Sequence, residues 1–530
     1  MSRTKFSFLN ITTGYVSYFV TFLVNFIVRT IFIRTLGTSF LGIEGLFSNI
    51  LSFLSLADLG ISQAISYKLY RAIADDDRPK IFALLEFYRR VFFLVGGIIM
   101  AVGVCLIPFL PSLVKDYGRF AELGLSGVAV LLIYLFNNSC SYWCFSYKYT
   151  FLNAQQHVYI CNLVFAAFAL LSGAAQILIL LLFHRSSTAF YLYLLAQGTF
   201  CVLSYLVIAF FSDRRFPYSR GRHKERIARA ERRGMLNDCS ATLLRKLQNV
   251  VISASDSLVL SAFLGLDQVG LYSNYYTVRA SISMLLNKLL TSLSGSVGNL
   301  NTEGNDRWTS LVFHAIGLLT SFLFGVFGIG TALILNEFII CWVGADFVVT
   351  SFTNAAGETV LAPLALLCGL EIYFRGLQIY YDLFRETLGL FRQFRIRPVL
   401  TILVNLGVSL LTVRQFGICG CVLGTIACLL LTVVPAEPCI ICKKGLHESP
   451  WPYFRRQALY TLVLVIGGLA ARWICLRLPV AGWLGFFVHG VVCVLVPAVF
   501  FLLCFFRTRE FRYLKRTILG LLRKKNTKTV

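Results

Sequence analysis

Apolar runs long enough to cross a bilayer recur along this chain from about residue 10 to residue 506, and they leave it very few folds. A membrane-crossing helix needs about 20 apolar residues. Inside hydrocarbon every backbone N–H and C=O must be satisfied within the protein, which restricts spanning structures to helices and closed barrels. The runs here have helix length, so the expectation is an all-α integral membrane protein. Composition agrees: 57% of the residues are hydrophobic and 14% charged, with a mean hydropathy of +0.74, against about 25% charged in a soluble domain. Little of the 530 residues remains for a water-soluble catalytic domain.

Charged, Gly/Pro and Asn breaks delimit fourteen predicted spans, at roughly 10–33, 42–67, 91–112, 122–147, 158–183, 188–212, 236–264, 270–297, 309–342, 359–383, 398–415, 417–441, 457–476 and 481–506. The second, seventh and eighth are interrupted by Ser, Asn, Asp and Lys, as spans facing protein or water are. Short cytoplasmic loops carry the excess of Lys and Arg. With the N-terminus inside, 38 of the 49 Lys and Arg fall on the inner side, seven outside and four within spans. That imbalance predicts both termini in the cytoplasm. The net charge of +24, which in a soluble chain would suggest nucleic acid, here suggests anionic membrane lipids and no nucleic acid.

The segment Asp213 to Gly234 holds nine Lys and Arg and divides the first twelve spans into two sets of six. The expected organisation is a six-helix lobe at 1–212, a basic cytoplasmic linker at 213–235, a second six-helix lobe at 236–445, helices 13 and 14 at 446–506 and a basic cytoplasmic tail at 507–530. An internal repeat supports the division. Leu36 to Gly42 reads LGTSFLG and Leu264 to Gly270 reads LGLDQVG; Gly45 to Asn49 reads GLFSN and Gly270 to Asn274 reads GLYSN. Six spans separate the copies, so they have the same orientation, as in parallel transporter repeats related by an axis along the membrane normal.

Other motifs carry little chemistry. Most of the 16 cysteines sit singly in apolar runs, as do Cys105, Cys161, Cys368, Cys428 and Cys504, and read as small buried hydrophobes. Cys439 and Cys442 lack the second ligand pair of a zinc site, so no metal site is expected. Asp75 to Asp77 lies in a predicted charged turn beside Arg71, Arg78 and Lys80. His447 and Glu448 precede Ser-Pro, so there is no His-Glu-x-x-His helix, and no Walker A pattern supplies an ATP site.

Three stretches resemble a known family: Arg29 to Tyr67, Ser255 to Leu300, and Asn405 to Thr425 followed by Glu437 and Pro438. At these residues the chain is similar to the polysaccharide transporter, or Wzx-type oligosaccharide-lipid flippase, branch of the superfamily that also holds the multidrug and toxin extruders. Asp58 stands where the family pattern has a glutamate. The resemblance implies two six-helix lobes of the extruder type, an alternately open central cavity, and movement of an undecaprenyl-diphosphate-linked repeat unit from the inner to the outer leaflet for surface polysaccharide biosynthesis.

Charges inside spans are expensive and mark function by default. Arg29, Arg279 and Arg375 fall within spans one, eight and ten, where the guanidinium fork suits phosphate oxygens. Glu371 and Arg375, four residues apart, also suit a structural ion pair. Lys288 lies near the inner interface, and Asn49, Asn274 and Tyr275 offer hydrogen bonds to sugar hydroxyls or to neighbouring helices. Asp58, Asp256 and Glu371 are candidates for coupling transport to H⁺ or Na⁺; the same carboxylates can serve to hold helices together. No other cofactor and no catalytic residue is expected.

The resulting expectation is a flippase in the bacterial cytoplasmic membrane, not an enzyme, for a lipid-linked oligosaccharide. Its expected partners are anionic lipids, a polysaccharide polymerase and glycosyltransferases. A cation-coupled multidrug extruder of the same fold is the alternative. A membrane glycosyltransferase or polymerase is a third; it needs a large outer loop, and the longest here, about Val343 to Glu358, is short.

Overall fold

The computed structural model describes residues 3–55, 69, 72–73, 75, 77–114, 117–155, 157–183, 186–217, 229–291, 306–353, 358–388, 390 and 396–516; of the side chains of 3–8, 11, 113, 229–246, 291, 306–307 and 353 nothing is described. The helices are α1 (Arg3–Leu36), α2 (Thr38–Leu54), α3 (Arg78–Cys105), α4 (Gly127–Trp143), α5 (Ser146–Ala154), α6 (Val158–Leu182), α7 (Ser187–Arg215), α8 (Arg229–Leu264), α9 (Leu266–Thr291), α10 (Asp306–Trp342), α11 (Leu364–Thr387), α12 (Arg397–Phe416), α13 (Ile418–Gly445), α14 (Trp451–Arg477) and α15 (Gly482–Phe505). Their starts follow ordinary rules: Asp77 caps α3 by accepting from Lys80 N at 3.1 Å, and Ser126 and Ser186 cap α4 and α7 in the same way.

The helices match the fourteen expected spans in order once α4 and α5 are joined. Among the described residues ten are long and apolar enough to cross a membrane, eleven with the bent α4–α5 pair. Three fall short. α2 is only 17 residues, and α9 and α11 carry Asp267, Arg279 and Lys288, and Glu371, Arg375, Asp382 and Arg385. α2 thus falls short by length alone, and the tenth span joins the eighth as one whose charges keep it below a spanning hydropathy; the seventh, α8, passes, with 56% of its apolar stretch buried. Large side chains turned outward, such as Phe93 at 67% and Leu503 at 67% exposure, are what a lipid-facing surface requires.

Other expectations are corrected in detail. Span four breaks after Trp143 with a 43° bend, because Phe145 adopts a left-handed conformation (φ 59); Lys148 then lies buried on α5, paired with Asp213. Residues 359–361 form no helix but a strand, β2 (Thr359–Leu361), antiparallel to β1 (Ser351–Thr353) with Phe352 opposite Val360. Cys161, Cys368 and Cys428 are buried, whereas Cys105 and Cys504 are exposed, which fits a lipid-facing position. Asp77 is a helix cap; Asp58, Arg71 and Asp76 lie outside the described residues.

The fold divides into two compact units, Met1–Gly270 and Leu271–Val530. In the first, the repeat copies meet. Gly37 (φ 85) and Gly265 (φ 92) each turn the chain into the next helix, and α2 then packs on the start of α9. A Cβ on Gly42 would clash with the Leu266 carbonyl, and one on Gly270 with that of Thr38. Thr38 and Gly42 thus meet Leu266 and Gly270, their own counterparts in the repeat, in a reciprocal contact. Ser39 Oγ donates to Asp267 Oδ1 at 2.6 Å, and Arg119 pairs with Asp267 Oδ2 at 2.9 Å.

In the second unit α14 is tied to α10 and α11 by polar contacts of the kind that hold membrane helices together. Gln457 Nε2 donates to Tyr373 Oη at 2.8 Å and to Ser321 Oγ at 3.0 Å, and Tyr381 and Tyr453 share a hydrogen bond of 2.6 Å. α15 packs on α14, where Gly467 meets Pro497. Helices 13 and 14 of the sequence reading are thus integral to this unit.

Candidate functional site

The second unit holds a buried triad. α9 supplies Arg279, and one face of α11 supplies Glu371 and, a turn later, Arg375. Each oxygen of the Glu371 carboxylate takes one arginine: Arg279 Nη1 contacts Oε2, and Arg375 Nε donates to Oε1 at 2.7 Å. The Arg279 guanidinium lies 5.0 Å from the centre of the Tyr276 ring, a cation–π placement. Glu371 is 0% exposed and Arg279 4%, while the Arg375 side chain keeps 22% of its surface. Two guanidinium groups share one carboxylate, so the triad has a net charge of +1. A buried charge is stable only when compensated, so such a site favours an anion.

The first unit holds a second cluster. Arg29 on α1 interacts electrostatically with Glu44 on α2 and Tyr193 on α7, and Tyr193 Oη donates to Glu44 Oε1 at 3.4 Å. Tyr134 on α4 stacks on Phe47 with centroids 5.6 Å apart. Tyr193 is held by Phe32 at 5.1 Å. The pair Arg29 and Glu44 is electrically neutral, and Ser48 beside it is exposed. Sequence reasoning missed Glu44, although a lone acid between Phe40 and Ile50 carries the same signal that singles out Arg29.

The remaining candidates are dispersed. Asn49 Nδ2 donates to Gly45 O and to Ser257 Oγ, both at 2.8 Å, and so links α2 to α8. Tyr275 Oη donates to Asn336 Oδ1 at 2.9 Å and accepts from Val349 N at 3.0 Å, tying α9 to α10 and to the segment before β1. Asn274 and Asp256 are buried, and Asp256 lies among buried Ser255, Ser257 and Ser261. Lys288 is half-buried near the end of α9. Of the residues singled out from sequence, the structure brings together Arg279, Glu371 and Arg375.

A third ionic cluster was not foreseen. Arg385 and Arg397, which fall between the predicted spans 359–383 and 398–415, are buried. Arg397 contacts Glu437, Arg385 Nη1 lies 3.8 Å from Glu437 Oε1, and Arg385 Nη2 lies 2.6 Å from Asp382 Oδ1. Glu437 sits between two π-helical turns of α13, Leu429–Val433 and Ile441–Gly445, and wide turns of this kind are frequent at functional sites. The cluster joins α11, α12 and α13. Among the described residues no three His, Cys, Asp or Glu are grouped to hold a metal ion.

No protein-family profile matches the chain, and no curated protein does. Solved structures match its fold. A lipid II flippase, MurJ, in an inward closed conformation is similar over 93% of this chain and 98% of its own, at 14% identity and a TM-score of 0.57. An inward-facing multidrug resistance MATE family transporter of the MOP superfamily covers 78% and 92%, at 13% identity and a TM-score of 0.54. A mutant form of the Vibrio cholerae MATE transporter VcmN covers 84% and 99%, at 12% identity and a TM-score of 0.51. At these identities the likeness concerns architecture: the chain has the all-α membrane transporter fold shared by the MATE transporters and the lipid II flippase.

Proposed function

We propose that this protein is a flippase for an anionic lipid-linked oligosaccharide, an undecaprenyl-diphosphate-linked repeat unit, which it carries from the inner to the outer leaflet by alternating access and without covalent chemistry. The observation that carries the reading is the triad of Arg279, Glu371 and Arg375, whose two guanidinium groups exceed its single carboxylate. A diphosphate supplies the missing negative charge, and the fork of Arg375, the more exposed of the two, has the shape to meet it. Arg29 offers a second basic group in the first unit. The sugar headgroup is too polar to cross hydrocarbon unaided, so a polar path with fixed positive charge lowers the barrier. A flippase of the same fold that acts on lipid II supports the substrate class.

The proposal includes a bacterial cytoplasmic membrane location with both termini inside, H⁺ or Na⁺ as coupling ion at a buried carboxylate, and cooperation with a polysaccharide polymerase and glycosyltransferases. Asp256, buried among hydroxyls, favours a second reading as a cation-coupled drug extruder. Substitution separates them. Arg29→Glu and Arg279→Glu abolish export of surface polysaccharide while the protein still inserts, and the Lys variants recover only part, because Lys lacks the planar fork. Full export by the Arg29→Ala and Arg279→Ala variants refutes the anion site, and altered drug sensitivity with normal polysaccharide selects the extruder.

A further inference from the structure

The end of α15 leads into a short helix, residues 509–516, capped by Thr508, whose Oγ1 accepts from Phe511 N at 3.3 Å. This helix is two-faced. Glu510, its one acid, is buried and pairs with Arg456 of α14 at 3.0 Å. Tyr513 meets the Trp308 ring of α10 edge-on at 5.4 Å, and Phe511 and Leu514 are half-buried on the same side. On the other side Arg507, Arg509, Arg512, Lys515 and Arg516 are exposed, and none of them makes an ion pair among the described residues. Turning the acid inward leaves the outer face purely cationic.

The helix sits at a defined depth. Leu502, Leu503 and Phe506, just before it, are exposed apolar residues of a lipid-facing helix end. Trp308 at the start of α10 and Trp451 at the start of α14 are exposed at the same end of the bundle, and Trp there marks the boundary between hydrocarbon and headgroups. Five cations at that boundary face the layer where lipid phosphates lie. From this we infer that 507–516 is a docking helix for anionic phospholipid headgroups, pinned to the protein by Glu510 and Tyr513.

Each cation near an anionic surface strengthens attachment about fivefold. The test is hydrogen exchange of the full-length protein in nanodiscs of phosphatidylcholine, with and without an equal share of phosphatidylglycerol. The amides of 509–516 are expected to exchange at least about fivefold more slowly with phosphatidylglycerol at low salt, a difference that 0.5 M salt abolishes by screening. Arg509→Gln/Arg512→Gln/Lys515→Gln removes the difference, and Arg509→Lys/Arg512→Lys keeps it, which separates headgroup attraction from a loss of helix. Equal exchange in both lipids, or a difference that survives the glutamine substitutions or high salt, overturns the inference. If the glutamine variant fails to insert, the salt response of the wild-type protein decides alone.

Discussion

Replacing Glu371 by Gln removes the one negative charge that two buried arginines share. Breaking a buried ion pair from one side costs about 3–5 kcal/mol, since the remaining charge is left uncompensated. Arg279, with 5% of its side chain exposed, bears that cost in full; Arg375, at 22%, is relieved in part by solvent. The opposite substitutions are milder. Arg279→Gln leaves the Glu371–Arg375 pair intact and neutral, so its cost falls to about 1–3 kcal/mol, that of one lost charged hydrogen bond. Adding Arg279→Gln to Glu371→Gln should restore about 2 kcal/mol, a coupling within the usual range for contacting residues. The assay is reversible unfolding of the purified protein in detergent, repeated with inorganic pyrophosphate. A ligand at a hundred times its dissociation constant stabilises by about 2.7 kcal/mol, and this stabilisation should be largest in Glu371→Gln, where the site carries +2, and absent in Arg279→Gln/Arg375→Gln. The reasoning is refuted if Glu371→Gln is no less stable than Arg279→Gln, or if pyrophosphate stabilises the double arginine variant as well as the wild type.

Two further predictions address other parts of the molecule. Gly42→Ala forces a methyl group against the Leu266 carbonyl and should destabilise the α2–α9 contact by about 1–3 kcal/mol, read as a lower unfolding midpoint and faster hydrogen exchange at 38–42 and 266–270; unchanged exchange there refutes the close packing. Reporter fusions should place Arg226 and Lys525 in the cytoplasm and Val349 outside, and an external Arg226 would invalidate the charge count.

What the sequence made legible follows from periodicity and composition. Apolar length located the helices in order, and the repeat at 36–42 and 264–270 proved to be a physical contact, because two glycines at equivalent positions admit the same close approach twice. Arg279, Glu371 and Arg375 were singled out as charges inside spans, and their convergence needed only a helix pair. The rest depends on distant partners. Arg385 and Arg397 look like ordinary loop cations until Glu437, 40 or more residues away, closes on them. The bend at Phe145 arises from one backbone angle that the side chain gives no reason to expect, and β2 takes the first residues of what hydropathy alone would assign to a span. The seventh span reads as interrupted from sequence, yet α8 keeps a spanning hydropathy despite its Ser and Asp residues, whereas the charges of α11 keep the tenth below it.

The central claim concerns where a lipid-linked sugar comes to rest. A deletion strain should accumulate complete lipid-linked repeat units that an impermeant sugar-modifying reagent cannot reach in cells stripped of their outer barriers, and its surface polysaccharide should disappear. Single units displayed on the outer face would indicate a polymerase instead. Units as accessible as in the parent strain, with polysaccharide output unchanged, would contradict the account.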